Sequence, residues 1–172
     1  MEQKHNQSSI CISMTMEKEK PINIKLLSVE ETSIVNNYGG KDLSGLSEDV
    51  LSFQFKVNVM VSPAKETLTV DMAVRYRYDN ADLFLAESKT VFVVKSLDEI
   101  ITRDESKNTI TFSFDIVPTL VGASYSTLRG IVYKETKNGP LEKYPMPLMP
   151  MKVLVEKCVF SIEDEQRNSS IR

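Results

Sequence analysis

Histidine occurs once in this chain and cysteine twice, and both scarcities exclude chemistry. His5 lies in a polar opening stretch; alone there, it is a poor general base and a poor metal ligand. Cys11 and Cys158 are far apart and form no C-x-x-C spacing, so two reduced thiols are expected rather than a disulfide framework or a metal cage. There is no G-x-S-x-G and no H-E-x-x-H. Gly39-Gly40 is not followed by Lys-Ser/Thr, so no phosphate cradle is present. An enzyme is therefore the least supported reading, and neither a cofactor nor a metal is implied. No apolar run approaches membrane-spanning length, and the first residues contain no continuous apolar core of a signal peptide. The expectation is a cytoplasmic protein without membrane insertion.

Charge is equally uninformative about polyanions. The net charge is -3, which gives no electrostatic reason to bind nucleic acid. Arg75 and Arg77 with Tyr76 and Tyr78 resemble a basic-aromatic platform, but strand alternation puts the two residue types on opposite faces. Asp71 and Arg75 read as a cross-strand charge pair rather than an acid–base couple. Glu163-Asp164-Glu165 reads as solvated charge.

What is present is the material of one ordinary domain. The chain has 172 residues, 41% hydrophobic and 26% charged, enough to bury about 70% of its unfolded surface without staples. Residues 1–20 read as a mobile arm, 21–165 as the domain and 166–172 as a solvated tail. Ile22, Ile24 and Leu26 alternate with polar residues as a half-buried strand. Leu27 and Val29 continue on the opposite parity, which a bulge would reconcile by letting both sets face the core. Phe53, Phe55, Val57, Val59 and Val61 mark a second strand, and Leu68 through Tyr78 a third with the cleanest alternation. The fourth, Leu83 to Val94, is apolar on both sides at its end, as if covered on both faces. Four strands joined in order predict an antiparallel meander with one apolar face to be covered. Ile110 to Ile116 fits either a fifth strand or the run-in to a helix.

Val117, Val121, Tyr125, Leu128 and Val132 recur at steps of four, four, three and four and lie on one helical face. Pro118 suits the first turn, and Asn138-Gly139-Pro140 stops the helix, with Gly139 in the left-handed cap. The chain is then extended by force, because Pro145, Pro147 and Pro150 fix φ and bias their predecessors away from helix. Between them sit Tyr144, Met146, Leu148, Met149 and Met151. Met is flexible and repacks around different partners, so this cluster is read as a surface that receives something, beside the alternative that each Met fills a gap in the core. Met151, Leu154, Val155, Cys158, Val159 and Ile162 fall at helical spacing and predict a second helix.

The order of four strands, long helix, Pro-rich cross-over and shorter helix resembles the SecB-like protein-export chaperones. So does the segment S-Y-S-T-L-R-G-I-V, with its aromatic at Tyr125 and its Arg129, and the cross-over N-G-P-L-E-K-Y-P-M-P-L-M-P. The resemblance implies an α+β subunit of SecB-like fold, a homodimer or homotetramer built through sheet edges, and a non-enzymatic chaperone role, including protein transport. It implies a groove for apolar segments of unfolded or labile polypeptides, at positions Leu128, Val132, Tyr144, Met146, Leu148 and Met149. Gly130 and the Ser-Ser-Ile-Arg ending depart from the export pattern. Two other readings stand beside it: a SecB-like domain dedicated to one protein partner, as with an antitoxin, and a binder of a small apolar ligand between sheet and helix.

Overall fold

Alternation decides the centre of the molecule. Leu68, Val70, Met72, Val74 and Tyr76 of β3 (Thr67–Tyr78) are all buried, and β3 pairs antiparallel with β2 (Ser52–Ser62) on one side and β4 (Ala81–Val94) on the other. Asp79 and Asn80 both adopt positive φ, 49° and 58°, the conformation that a two-residue hairpin loop requires. Tyr76 is clamped edge-on between Phe53 and Phe84, with ring centroids 4.6 and 5.6 Å away. The computed structural model describes residues 22–104, 109–113 and 115–163. His5, Cys11, the arm 1–20, Phe114, Asp164, Glu165 and the tail 166–172 lie outside the described residues.

The predicted meander holds for β2, β3 and β4 but not for the first strand. β1 (Ile24–Asn36) pairs antiparallel with β4, and with the last strand, β7 (Cys158–Ile162), the sheet order is β1-β4-β3-β2-β7. The connection Asn37–Leu51 is far too long for a hairpin. It lets β1 lie on the far side of the sheet, in a Greek-key arrangement. The anticipated bulge exists, with register shifts between Leu26 and Ser28 and between Glu31 and Ser33. It does not bring both apolar sets into the core: Leu26, Leu27 and Val29 remain 52%, 58% and 41% exposed. Among the described residues β1 has no neighbour on its outer side, so its side chains reach past the cover. The end of β4 is likewise covered on one face. Phe92 and Val94 are buried while Val91 and Val93 on the opposite face are half-buried.

α2 (Ile116–Thr136) is the cover, packed on β3 and β4. Val117, Val121, Tyr125, Leu128 and Val132 are all buried, as their spacing requires. The helix stops as expected, but through a different residue: Asn138 takes the left-handed conformation (φ 60°) and Gly139 does not. Asn tolerates that region by local hydrogen bonding of its side chain. Ahead of α2 lie α1 (Leu97–Ile100) and a small hairpin of β5 (Ile101–Asp104) and β6 (Thr109–Phe112). The ambiguous segment is thus strand as far as Phe112 and helix from Ile116.

The predicted second helix is cut short. α3 (Met151–Glu156) has one buried residue, Leu154, and after Lys157 the Val-Phe sequence joins the sheet as β7, parallel to β2 from Val57 to Val61. A helix with so little to bury gives way to the β-branched and aromatic preference for a sheet edge. Arg75 also finds a different partner from the one expected. It pairs with Asp82 at 3.3 Å, as Arg77 does at 3.0 Å, while Asp71 lies in register with Lys89 and Asn58.

Candidate functional site

Prolines remove backbone donors, so an extended proline-rich segment must be held by its carbonyls. After a turn over 141–144, the ribbon from Pro145 to Pro150 runs back along α2, and two helix side chains hold it. The Tyr125 hydroxyl donates to the carbonyl of Pro147, and Arg129 Nε donates to that of Met146 at 3.3 Å. Burial pushes the Tyr125 pKa above the usual tyrosine value, while Arg129 and the Met149 backbone beside it pull it back. Tyr125 and Arg129, one turn apart on the helix, therefore act as the ribbon's two clasps. At the near end, Tyr144 Oη donates to the Leu46 carbonyl at 2.7 Å and ties the ribbon to the loop before β2. At the far end Met151 lies against Gly122, where a Cβ would stand 2.6 Å from its Cε. Under the clasps, Tyr76 is buried with its hydroxyl unpartnered; burial drives its pKa far above the usual value, with Arg129 partly opposing.

Held this way, the ribbon stands beside the start of β2 and leaves a groove of about 430 Å³ between them. Leu51, Phe53, Pro145, Pro147 and Leu148 make its walls apolar, and Glu48 and Arg129 supply its polar groups. The six expected binding positions divide. Tyr144, Met146 and Leu148 line the groove. Leu148 is 79% exposed and Tyr144 half-buried, but Met146 is only 3% exposed and packs in the core. Met149 is half-buried against that core, next to the groove. Leu128 and Val132 are buried under the helix, where they face the sheet and line no part of the groove. Sequence reasoning missed Leu51 and Phe53 as wall residues. The signal for Phe53 was its place at the very start of an aromatic strand, beyond the stretch where the strand's inward residues are fully buried.

The groove opens onto backbone as well as side chains. β7 covers β2 only from Val57 to Val61, so among the described residues the outer edge of β2 is unpaired from Ser52 to Lys56. Phe53, a wall residue of the groove, is therefore also part of that open edge. A larger depression of about 700 Å³, lined by Asn37, Lys41, Arg77, Asn80 and Asp82, is polar and open, and its cations are already engaged: Lys41 on the Asp82 carbonyl at 2.9 Å, Arg77 on the Asp82 carboxylate. Among the described residues no cluster of His, Cys, Asp or Glu is arranged to hold a metal ion, and no helix is long and apolar enough to cross a membrane.

No family model matches the sequence, and no curated protein matches it. Among solved structures, the fold is similar to that of the Mycobacterium tuberculosis Rv1957 SecB-like chaperone, solved with a ChAD peptide from the Rv1956 HigA1 antitoxin. The match has a TM-score of 0.45 and 17% identity, covering 74% of this chain and 89% of that one. It is also similar to a Streptococcus agalactiae protein of unknown function, with a TM-score of 0.38 and 10% identity, covering 76% of this chain and 99% of that one.

Proposed function

We propose that this protein binds and holds extended apolar segments of unfolded or labile polypeptides, without catalysing a reaction. The observation that carries the reading is the juxtaposition at the start of β2: an apolar groove with the exposed Leu148 on its rim, and an unpaired strand edge from Ser52 to Lys56 beside it. An extended segment satisfies both at once. Its backbone adds to the edge, and its alternate side chains enter the groove, the mode of β-strand addition.

The outer edge of β1, unpaired among the described residues, supports a second part of the reading, assembly with another copy. Paired antiparallel about a two-fold axis between Leu27 and Ser28, β1 would set Lys25 against Glu30 of the partner subunit and Leu26 against Val29 of the partner subunit. Such an arrangement is self-complementary in charge and in apolar contact, as a two-fold interface must be. It would cover the three most exposed apolar side chains at the start of β1.

The test is suppression of aggregation of a thermally unfolded enzyme, followed by light scattering. The wild-type protein is expected to slow aggregation at stoichiometric amounts. Leu148→Asp is expected to lose most of that effect while keeping stability within about 0.5 kcal/mol, as an exposed substitution should. Met146→Asp at the buried neighbouring position is expected to cost about 3 kcal/mol or more through lost packing and a buried charge. A wild-type protein that never slows aggregation would remove the holding function.

A further inference from the structure

β7 occupies the half of the β2 edge that the groove does not reach, and it is weakly held there. We propose that β7 is a built-in competitor for the bound polypeptide: a segment seated on Ser52–Lys56 extends along β2 by displacing β7 from Val57–Val61. The proposal rests on the holding function above and adds to it a second, gated half of the same site.

The asymmetry between β7 and the strand beneath it carries the argument. None of the five residues of β7 is buried. Cys158 and Ile162 are half-buried, while Val159 and Phe160 stand 61% and 42% exposed. Its pairing is parallel, which is less stable per residue than antiparallel pairing. What fastens it beyond the ladder is Cys158 against the core, a tilted contact of Phe160 with Phe112 at 6.4 Å between ring centroids, an ion pair between exposed side chains, Lys65 Nζ to Glu163 Oε1 at 2.7 Å, and one backbone bond from Glu163 to the Val61 carbonyl at 3.0 Å. Exposed ion pairs of this kind contribute little. The strand is preceded by α3, which buries only Leu154. β2, by contrast, is paired with β3 along its whole length and stays in place when β7 leaves.

The site thereby exposed has a defined preference. Val57, Val59 and Val61 face the core, so the edge offers backbone groups in line with those of Ser52–Lys56 and no new charge. The partner it fits is an extended segment longer than five residues, low in charge and rich in β-branched or aromatic residues. Proline is excluded from the part that replaces β7, since the edge needs its N–H groups.

A covalent lock tests this in the full chain. In a Cys11→Ser, Cys158→Ser background, Asn58→Cys with Val159→Cys places a thiol on each of two residues in register. The probe is fluorescein-labelled lysozyme, permanently unfolded by reduction and carboxamidomethylation, and the readout is fluorescence anisotropy. The oxidised, locked form is expected to bind about tenfold more weakly than the same protein after reduction, and Ser161→Pro, which removes an N–H that β7 directs at β2, to bind severalfold more tightly than wild type. Equal affinity in the locked and reduced forms overturns the competition and leaves the groove reading standing. Absence of binding by the wild type, the lock and Ser161→Pro alike overturns both.

Discussion

The two edges of the sheet differ in what they offer a partner. β1 presents side chains: Leu26, Leu27 and Val29 stand out from an edge interrupted by two register shifts. β2 presents backbone: a regular, bulge-free edge, half open and half covered by a short parallel strand, with an apolar groove alongside. An edge that fits a copy of itself suits a lasting interface. An edge whose own cover is weakly fastened suits exchange. On the proposed reading, assembly and client binding fall toward opposite ends of the strand order β1-β4-β3-β2-β7.

Breaking β1 has the larger expected effect. Leu26→Asp with Leu27→Asp sets charges against the partner's Val29 and the partner's Ser28 in the proposed pairing and removes its apolar contact, and the dimer dissociation constant is expected to rise about a hundredfold or more. Light scattering after size exclusion measures it. Client affinity per chain is expected to stay within about twofold, because β2 lies across the sheet and distant sites act independently. A joint loss of assembly and client binding would merge the two edges into one function.

A smaller effect sharpens the picture at β7. The Lys65 ammonium, hydrogen-bonded to Glu163, holds that carboxyl below its ordinary value. A depressed folded-state pKa contributes stability above the unfolded value and loses it as pH falls through the folded one. Lys65→Gln is therefore expected to lower the melting temperature slightly at pH 7, with the difference from wild type closing below about pH 4 as Glu163 protonates in both proteins. Thermal unfolding followed by circular dichroism across that range checks it, and a difference that persists unchanged at low pH would mean that the pair does not fasten β7.

Periodicity made the central strands and α2 legible, because burial there follows local alternation or a helical stripe: Leu68 to Tyr76 and Val117 to Val132 lie as their spacing demands. The place of β1 was not legible, since strand order depends on how a long loop crosses the sheet, which no local pattern records. β7 was read as helix because its apolar residues fit that period, yet a five-residue piece with almost nothing to bury takes whatever edge is vacant. At the groove, composition marked the ribbon but not its orientation. Met146 and Leu148, two residues apart on an extended ribbon, end in the core and in solvent respectively. Tyr125 and Arg129 were conspicuous in sequence, but their work as clasps on the Pro147 and Met146 carbonyls needed the returning chain to be seen.

The most direct test is hydrogen–deuterium exchange of the full chain with and without the carboxamidomethylated lysozyme. The account predicts that client protects amides in Leu51–Lys56 and in the ribbon around Leu148, speeds exchange in Cys158–Ile162, and leaves Ile24–Asn36 unchanged. Protection confined to Ile24–Asn36, with β2 and the ribbon unaffected, would contradict it.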